Sequence, residues 1–224
     1  MIADQILYED NHLLALNKLP GQIVQGDKTG DTPLPELVKA YLKERDHKPG
    51  NVFCGVVHRL DRPVSGVVLL AKTDKALSRM TKMIAARDFE KTYWAVVYNA
   101  PPEPAAELED WLLKNERQNR SYVVDSTRSG AKLARLAYRE VAVSNGGYHL
   151  LEVALHTGRH HQIRCQLAHM GCPIRGDLKY GAPRSNPDGS ISLHARRIVF
   201  EHPVSHQQVD IVAPNQFIST IFNI

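Results

Sequence analysis

The stretch "HRLDRPVSGVVLLAKT", His58 to Thr73, decides the fold. Its second half, "SGVVLLA", is a short apolar run rich in β-branched residues, the pattern of a buried strand. Its first half puts four ionisable side chains, His58, Arg59, Asp61 and Arg62, into five positions just ahead of that strand. A buried strand needs no such charge at its entrance, so the two halves raise separate questions of fold and of chemistry.

Working outward, "ILYEDNHLLALNK" reads as two strands parted by the turn-forming Glu9-Asp10-Asn11. The Gly-rich "GQIVQGDKTGDTP" reads as a loop. "LPELVKAYLKERD" has a helical pattern, with Leu37, Tyr41 and Leu42 near helical spacing and prolines at its start. After the strand, "TDKALSRMTKMIAARD" is an amphipathic helix capped by Thr73 or Asp74, with Leu77, Met80 and Ile84 as its apolar stripe. "FEKTYWAVVYN" is dense in aromatic and β-branched residues and reads as a strand, and "PPEPAAE" as a rigid connection. Residues 107–157 read as β-rich, with a hairpin at "SNGG" and Leu151, Val153 and Leu155 on one face of its second arm. "GRHHQIRCQLAHMG" turns from loop into helix, with Ile163, Leu167 and Met170 inward and Gly171 at its end. A Gly/Pro-rich loop, two further strands and a short helix close the chain. Interspersed strands and helices joined by hairpins predict an α+β fold with a mixed, largely antiparallel central sheet flanked by helices and loops, in one domain over residues 1–224.

The 224 residues, 43% hydrophobic and 23% charged, can bury a substantial core and are not those of a disordered chain. No apolar run approaches the roughly 20 residues of a membrane helix, and "MIADQILYEDN" lacks a secretory pattern, so no membrane association and a cytoplasmic protein are expected. Three cysteines without a CxxC pair fit reduced structural thiols. A net charge of +4 permits a polyanionic partner without requiring one.

Several chemistries find no motif. The eleven histidines include no HExxH or Cys/His ligand grouping, so no metal site is expected. Neither a P-loop, a GxGxxG nor a GxSxG elbow occurs. Asp61, between Arg59 and Arg62, has two readings. It is a loop aspartate that caps a turn and pairs with an arginine, or a carboxylate held anionic by cations and so able to act as nucleophile or base. "GRHHQIR" adds Arg159 and Arg164 at a helix start, and two segments of unusual cationic density point to a shared polyanion site. Lys75, Arg79 and Lys82 fall at i, i+4 and i+7 of the amphipathic helix; they are either a solvated face or phosphate contacts.

These segments resemble the RluA-type RNA pseudouridine synthases. "HRLDRPVSG" is similar to the family's HRLDxxTSG motif, "KTYWAVV" to KxYxAxV, and "TGRHHQIRCQLAHMGCPIRGDLKYG" to TGRTHQIRxHLxxxGxPixGDxxYG. "ILYEDNHLLALNKLPG" and "LHARRIVFEHP" resemble the opening strand pair and the closing LHAxxLxFxHP, so the likeness runs in family order from Ile6 to Pro203. Val64 and His160 stand where the family usually has Thr, and "NKLPG" replaces "NKPAG".

The resemblance implies the pseudouridine synthase catalytic fold and isomerisation of a uridine in structured RNA, tRNA or rRNA, with no metal, cofactor or obligate protein partner. It implies Asp61 as catalytic aspartate and Tyr93 as the tyrosine packing on the target base. Arg164 would be the basic partner of the aspartate, and Arg59 would meet the flipped-out nucleotide. His58, Arg159, Lys75, Arg79 and Lys82 are added as RNA-binding candidates. Many relatives carry an S4-like RNA-binding module; none is read here, which favours tRNA slightly. Two rivals remain: a glycosidase using Asp61 with Asp177, and a non-enzymatic RNA-binding module.

Overall fold

The computed structural model describes residues 1–27 and 29–224. Its strands are β1 (Ile6–Glu9), β2 (Leu13–Lys18), β3 (Gly55–Val56), β4 (Ser65–Ala71), β5 (Phe89–Val97), β6 (Ala105–Asn115), β7 (Arg120–Val124), β8 (Lys132–Val143), β9 (His149–Leu155), β10 (Leu193–Glu201) and β11 (Gln208–Val212). The α-helices among the described residues are α1 (Leu34–Arg45), α2 (Asp74–Ala86), α3 (Gln162–His169) and α4 (Gln216–Phe222). The chain divides into two compact units. The first is Met1–Phe89 with Ala195–Pro214, the second Glu90–His194 with Asn215–Ile224.

In the first unit the strand order is β1–β2–β4–β10–β11, with β3 also on β4. β2 runs antiparallel to β4, Leu13 opposite Ala71 and Lys18 opposite Gly66. Alternate residues face opposite sides of a strand, and here both sides are covered. Leu13, Val67, Leu69 and Met80 share one cluster, which includes α2; Leu14, Leu16, Val68 and Leu70 join Leu34, Val38 and Leu42 of α1 in another. That is why "LLAL" and "VVLL" are continuous apolar runs rather than alternating ones. Thr73 caps α2 as expected, its hydroxyl accepting from the Ala76 N–H at 3.1 Å.

The stripe of α1 differs from the sequence reading. Leu37 is exposed, and burial falls on Leu34, Val38 and Leu42, an i, i+4, i+8 row. Leu37, about 100° round the helix from Val38, falls off the row formed by the buried Leu34, Val38 and Leu42. Each of these fully buried side chains contributes about 1.5–3 kcal/mol.

The second unit orders its strands β5–β9–β8–β6–β7. Neighbours along this path run antiparallel, with Tyr93 of β5 opposite Val153 of β9. The β8–β9 hairpin turns at "SNGG", where Gly147 takes φ +75°. β6 begins at Ala105, so part of "PPEPAAE" is strand rather than connection. Ile218 and Phe222 of α4 pack with Trp94, Val96 and Leu150, while Cys165 of α3 packs with Leu112, Ala134 and Tyr180. All three cysteines are buried free thiols. The architecture is thus α+β and largely antiparallel.

Candidate active site

Asp61 lies in the turn that leads into β4, half-buried, its backbone carbonyl accepting from the Val64 N–H at 3.1 Å. Gly66 fixes the entry to β4. It takes φ +113°, and a Cβ there would stand 2.3 Å from the Ala195 carbonyl oxygen, which excludes every other residue. The flanking arginines have different neighbours. Arg62 donates to Asp31 at 2.5 Å and to Asp27 at 3.0 Å, so its charge is engaged by these two carboxylates. Arg59 is exposed and touches the side-chain oxygen of Gln25 at 2.7 Å.

His58 is turned toward the fold. Its Nε2 accepts from the Leu69 N–H at 3.2 Å, and its ring lies 5.6 Å from that of Phe89. On α2, Lys75 and Lys82 are exposed, whereas Arg79 donates to the Pro203 carbonyl at 2.7 Å. The basic stripe read from the sequence therefore contains two solvated lysines and one arginine that pins a loop.

Lys18 was not singled out by the sequence reading. It is 0% exposed at the end of β2, with its Nζ donating to the carbonyls of Leu19 (3.1 Å), Arg62 (3.0 Å) and Val64 (2.6 Å). Burial pulls its pKa down to about 7, against an upward pull from Asp61 and a downward push from Arg62. A signal was present: Lys18 is in phase with the buried Leu14 and Leu16, so period-2 alternation sends it inward.

The second unit holds Tyr93, Arg159 and Arg164. Tyr93 is buried in β5 at 7% exposure. Lys91, two residues earlier on the same strand face, has its pKa lowered by burial, and its Nζ would lie 3.7 Å from a Cβ at Gly158. Arg164, on the first turn of α3, grips Asp177 through Nε (2.6 Å to Oδ2) and Nη2 (2.8 Å to Oδ1). The two side chains are only 6% and 1% exposed. Gly176, just before Asp177, takes φ +89°, and a Cβ there would stand 2.7 Å from the Ser190 carbonyl oxygen. Each oxygen of Asp177 thus accepts a hydrogen bond from Arg164.

The "TGRHHQIR" loop is held by a chain of buried polar contacts. The Thr157 hydroxyl donates to the Gln162 Oε1 at 2.7 Å, and that oxygen also accepts the Arg159 N–H at 3.0 Å. Gln162 Nε2 reaches the Arg135 carbonyl and the Gln166 side chain, each at 3.0 Å. Such a network is stable only because its members are satisfied. Arg159 Nε donates to the Leu133 carbonyl at 2.8 Å. His161 takes φ +51°, and its Nδ1 lies 3.0 Å from the Tyr180 hydroxyl. The guanidinium groups of Arg120 and Arg164 stand 4.9 and 5.1 Å from the Tyr180 ring centre. Burial is the main cause that pushes that phenol up to about 12.

A family model described as RNA pseudouridylate synthase matches residues 12–169. The chain is 33% identical over 223 residues to ribosomal large subunit pseudouridine synthase D of Xanthomonas campestris, covering 93% of this chain and 65% of that protein. It is 30% identical over 220 residues to ribosomal large subunit pseudouridine synthase C of Buchnera aphidicola, covering 95% and 68%. The chain thus spans about two thirds of the length of these relatives. In fold it is similar to human RNA Pseudouridylate Synthase Domain Containing 4, with TM-score 0.80 at 22% identity over 96% of this chain and 90% of that one.

Proposed function

Given that the chain belongs to the RNA pseudouridine synthase family, we propose that it converts a uridine of structured RNA to pseudouridine, with Asp61 as the reacting carboxylate. The observation that carries this reading is the Asp61 turn. It is locked by backbone and buried contacts, yet Asp61 itself is only half-buried, near a buried lysine.

The chemistry follows from the target. A stacked uridine hides its glycosidic bond and must be extruded, at a cost of a few kcal/mol. Arg59, exposed next to Asp61, meets the displaced nucleotide, and Tyr93 offers an aromatic wall to the uracil. Asp61 then adds to C1′ or takes the C2′ proton; both routes require the ionised carboxylate. The N1–C1′ bond breaks and the ring turns; C5 bonds to C1′ as the Asp61 carboxylate leaves C1′ or, on the second route, as Asp61 returns the proton to C2′; and the C5 proton leaves as N1 gains one. Composition is unchanged and no uracil is released. Arg164 serves as the cation of the site, oriented by Asp177. The reaction so written needs neither metal nor organic cofactor.

The names of the relatives favour ribosomal RNA of the large subunit over tRNA, and with it a cytoplasmic protein. No helix among the described residues is long and apolar enough to cross a membrane. RNA contacts fall to Arg59, Arg159, Lys75 and Lys82, while His58 and Arg79 serve the scaffold.

The test is pseudouridine mapping of rRNA and tRNA incubated with the protein or with Asp61→Asn. The wild type should leave RNA mass unchanged and add pseudouridine at an rRNA position. The variant should lose turnover by at least about a thousandfold while keeping RNA affinity. Comparable turnover by Asp61→Asn removes the assignment, and released uracil would restore the glycosidase.

A further inference from the structure

A guanidinium carries five N–H donors and no acceptor, so an arginine drawn into the fold needs oxygen atoms to receive them. Arg120, the first residue of β7, is half-buried, yet no oxygen among the described residues accepts a hydrogen bond from its guanidinium. Its Nε is fully buried without a partner. The other described arginines that are buried or half-buried are all engaged. Arg62 and Arg164 donate to carboxylates, Arg79, Arg159 and Arg196 to backbone carbonyls, and Arg175 to the Ser192 hydroxyl.

Two aromatic rings hold Arg120 instead. Its guanidinium carbon lies 5.0 Å from the Tyr122 ring centre and 4.9 Å from that of Tyr180, within the range of cation–π attraction. A ring face stabilises the charge but supplies no oxygen lone pair. The backbone is fixed on both sides of the residue. Lys179 Nζ donates to the Asn119 carbonyl at 3.0 Å, and the Ser121 N–H donates to the Tyr180 hydroxyl at 2.8 Å. The Ser121 hydroxyl donates to the His160 carbonyl at 2.7 Å, which ties the start of β7 to the loop that carries Arg159. Arg117, three residues earlier, and Lys179 are exposed and add to the positive charge.

An unpartnered donor inside a fold costs stability and calls for an explanation. A guanidinium held rigid, charged and without a carboxylate suits an acceptor that arrives with the substrate. The planar fork of an arginine matches the oxygens of a phosphate, and with Nε buried the terminal nitrogens are the ones that can meet it. We propose that Arg120 is a phosphate-binding residue for RNA: the rings of Tyr122 and Tyr180 hold its guanidinium so that the terminal nitrogens grip a phosphodiester of the substrate. This inference rests on the reading of the chain as an enzyme acting on RNA. It adds a contact on β7 that lies in none of the blocks carrying the family likeness.

The experiment measures affinity and turnover of the full chain on a large-subunit rRNA transcript over a series of salt concentrations. Arg120→Met keeps an apolar stem against the rings and removes the charge. It should weaken RNA affinity about tenfold, flatten the plot of log affinity against log salt by about one, and raise KM about tenfold with kcat within about twofold. Arg120→Lys should recover most of the slope and only part of the affinity, because lysine lacks the fork. A slope equal to wild type in Arg120→Met overturns the proposal and leaves Arg120 a packing residue. Should Arg120→Met not fold, phenylglyoxal labelling of the wild type, read by mass spectrometry, decides. Arg120 should be labelled in the free protein, protected by the transcript, and not protected by inorganic phosphate at the same phosphate concentration. Absent labelling, absent protection, or equal protection by inorganic phosphate overturns the proposal. The two readings fail separately. A wild type that binds the transcript through Arg120 but forms no pseudouridine sinks the catalytic reading alone, whereas an active wild type whose affinity ignores Arg120→Met sinks this contact alone.

Discussion

The Asp61 turn and the "TGRHHQIR" segment are both dense in cations, but they are fastened in opposite ways. In the turn, a buried lysine from a distant strand holds backbone carbonyls, and the side chains of Arg59 and Asp61 keep access to solvent. In the segment, the side chains are themselves the fastening: Arg164 is locked bidentately on Asp177, and Gln162 is consumed by Thr157, Arg159 and Arg135. Cationic density in a sequence therefore does not distinguish a group that meets a ligand from one that holds the loop. Arg62 makes the point most sharply, since it adjoins Asp61 and is spent on Asp27 and Asp31.

The contrast can be broken most directly at the buried pair. Asp177→Asn should cost about 3–5 kcal/mol of unfolding free energy, because it removes the charge of one member of a buried, bidentate ion pair. Arg62→Ala, which breaks solvent-screened pairs, should cost far less. Urea melts of the two variants check this; equal losses would erase the distinction between the segments.

A smaller effect is expected at Glu9, where the hydrogen-bonded Arg45, with Lys72 beside it, draws the carboxyl from 4.5 to about 2 against burial. A lowered folded-state pKa stabilises above the unfolded value and loses that stability as pH falls from about 4.5 toward 2. Glu9→Gln should thus cost about 1–2 kcal/mol at neutral pH, discounted for partial exposure, and nearly nothing near pH 2. Thermal melts across that range should show the two curves converging.

The smallest change sharpens the split within α2. Lys75→Ala or Lys82→Ala should each flatten the plot of log affinity for RNA against log salt by up to about one, and Arg79→Ala should leave it unchanged. A flatter slope for Arg79→Ala would return that arginine to the RNA-contacting set.

What the sequence reveals is what depends on near neighbours. β4 was legible from seven consecutive residues, and α2 from a cap and a stripe within one window. In α1 the apolar residues Leu34, Leu37, Val38, Tyr41 and Leu42 fit overlapping helical rows, so the period alone does not say whether Leu37 or Val38 faces inward. Asp61, Arg59, Tyr93 and Arg164 were nameable because they sit inside contiguous blocks. Alternation along β2 points Lys18 inward, but its carbonyl partners and the grip of Asp177 on Arg164 were not legible, because they depend on contacts between residues 13 to 46 positions apart.

Gly66 has a practical consequence for anyone who diversifies this loop. Its missing side chain lets another segment of backbone lie almost on top of it. A library randomised across residues 61–66 and selected only for soluble protein should accept substitutions at several positions yet return a single letter at the last.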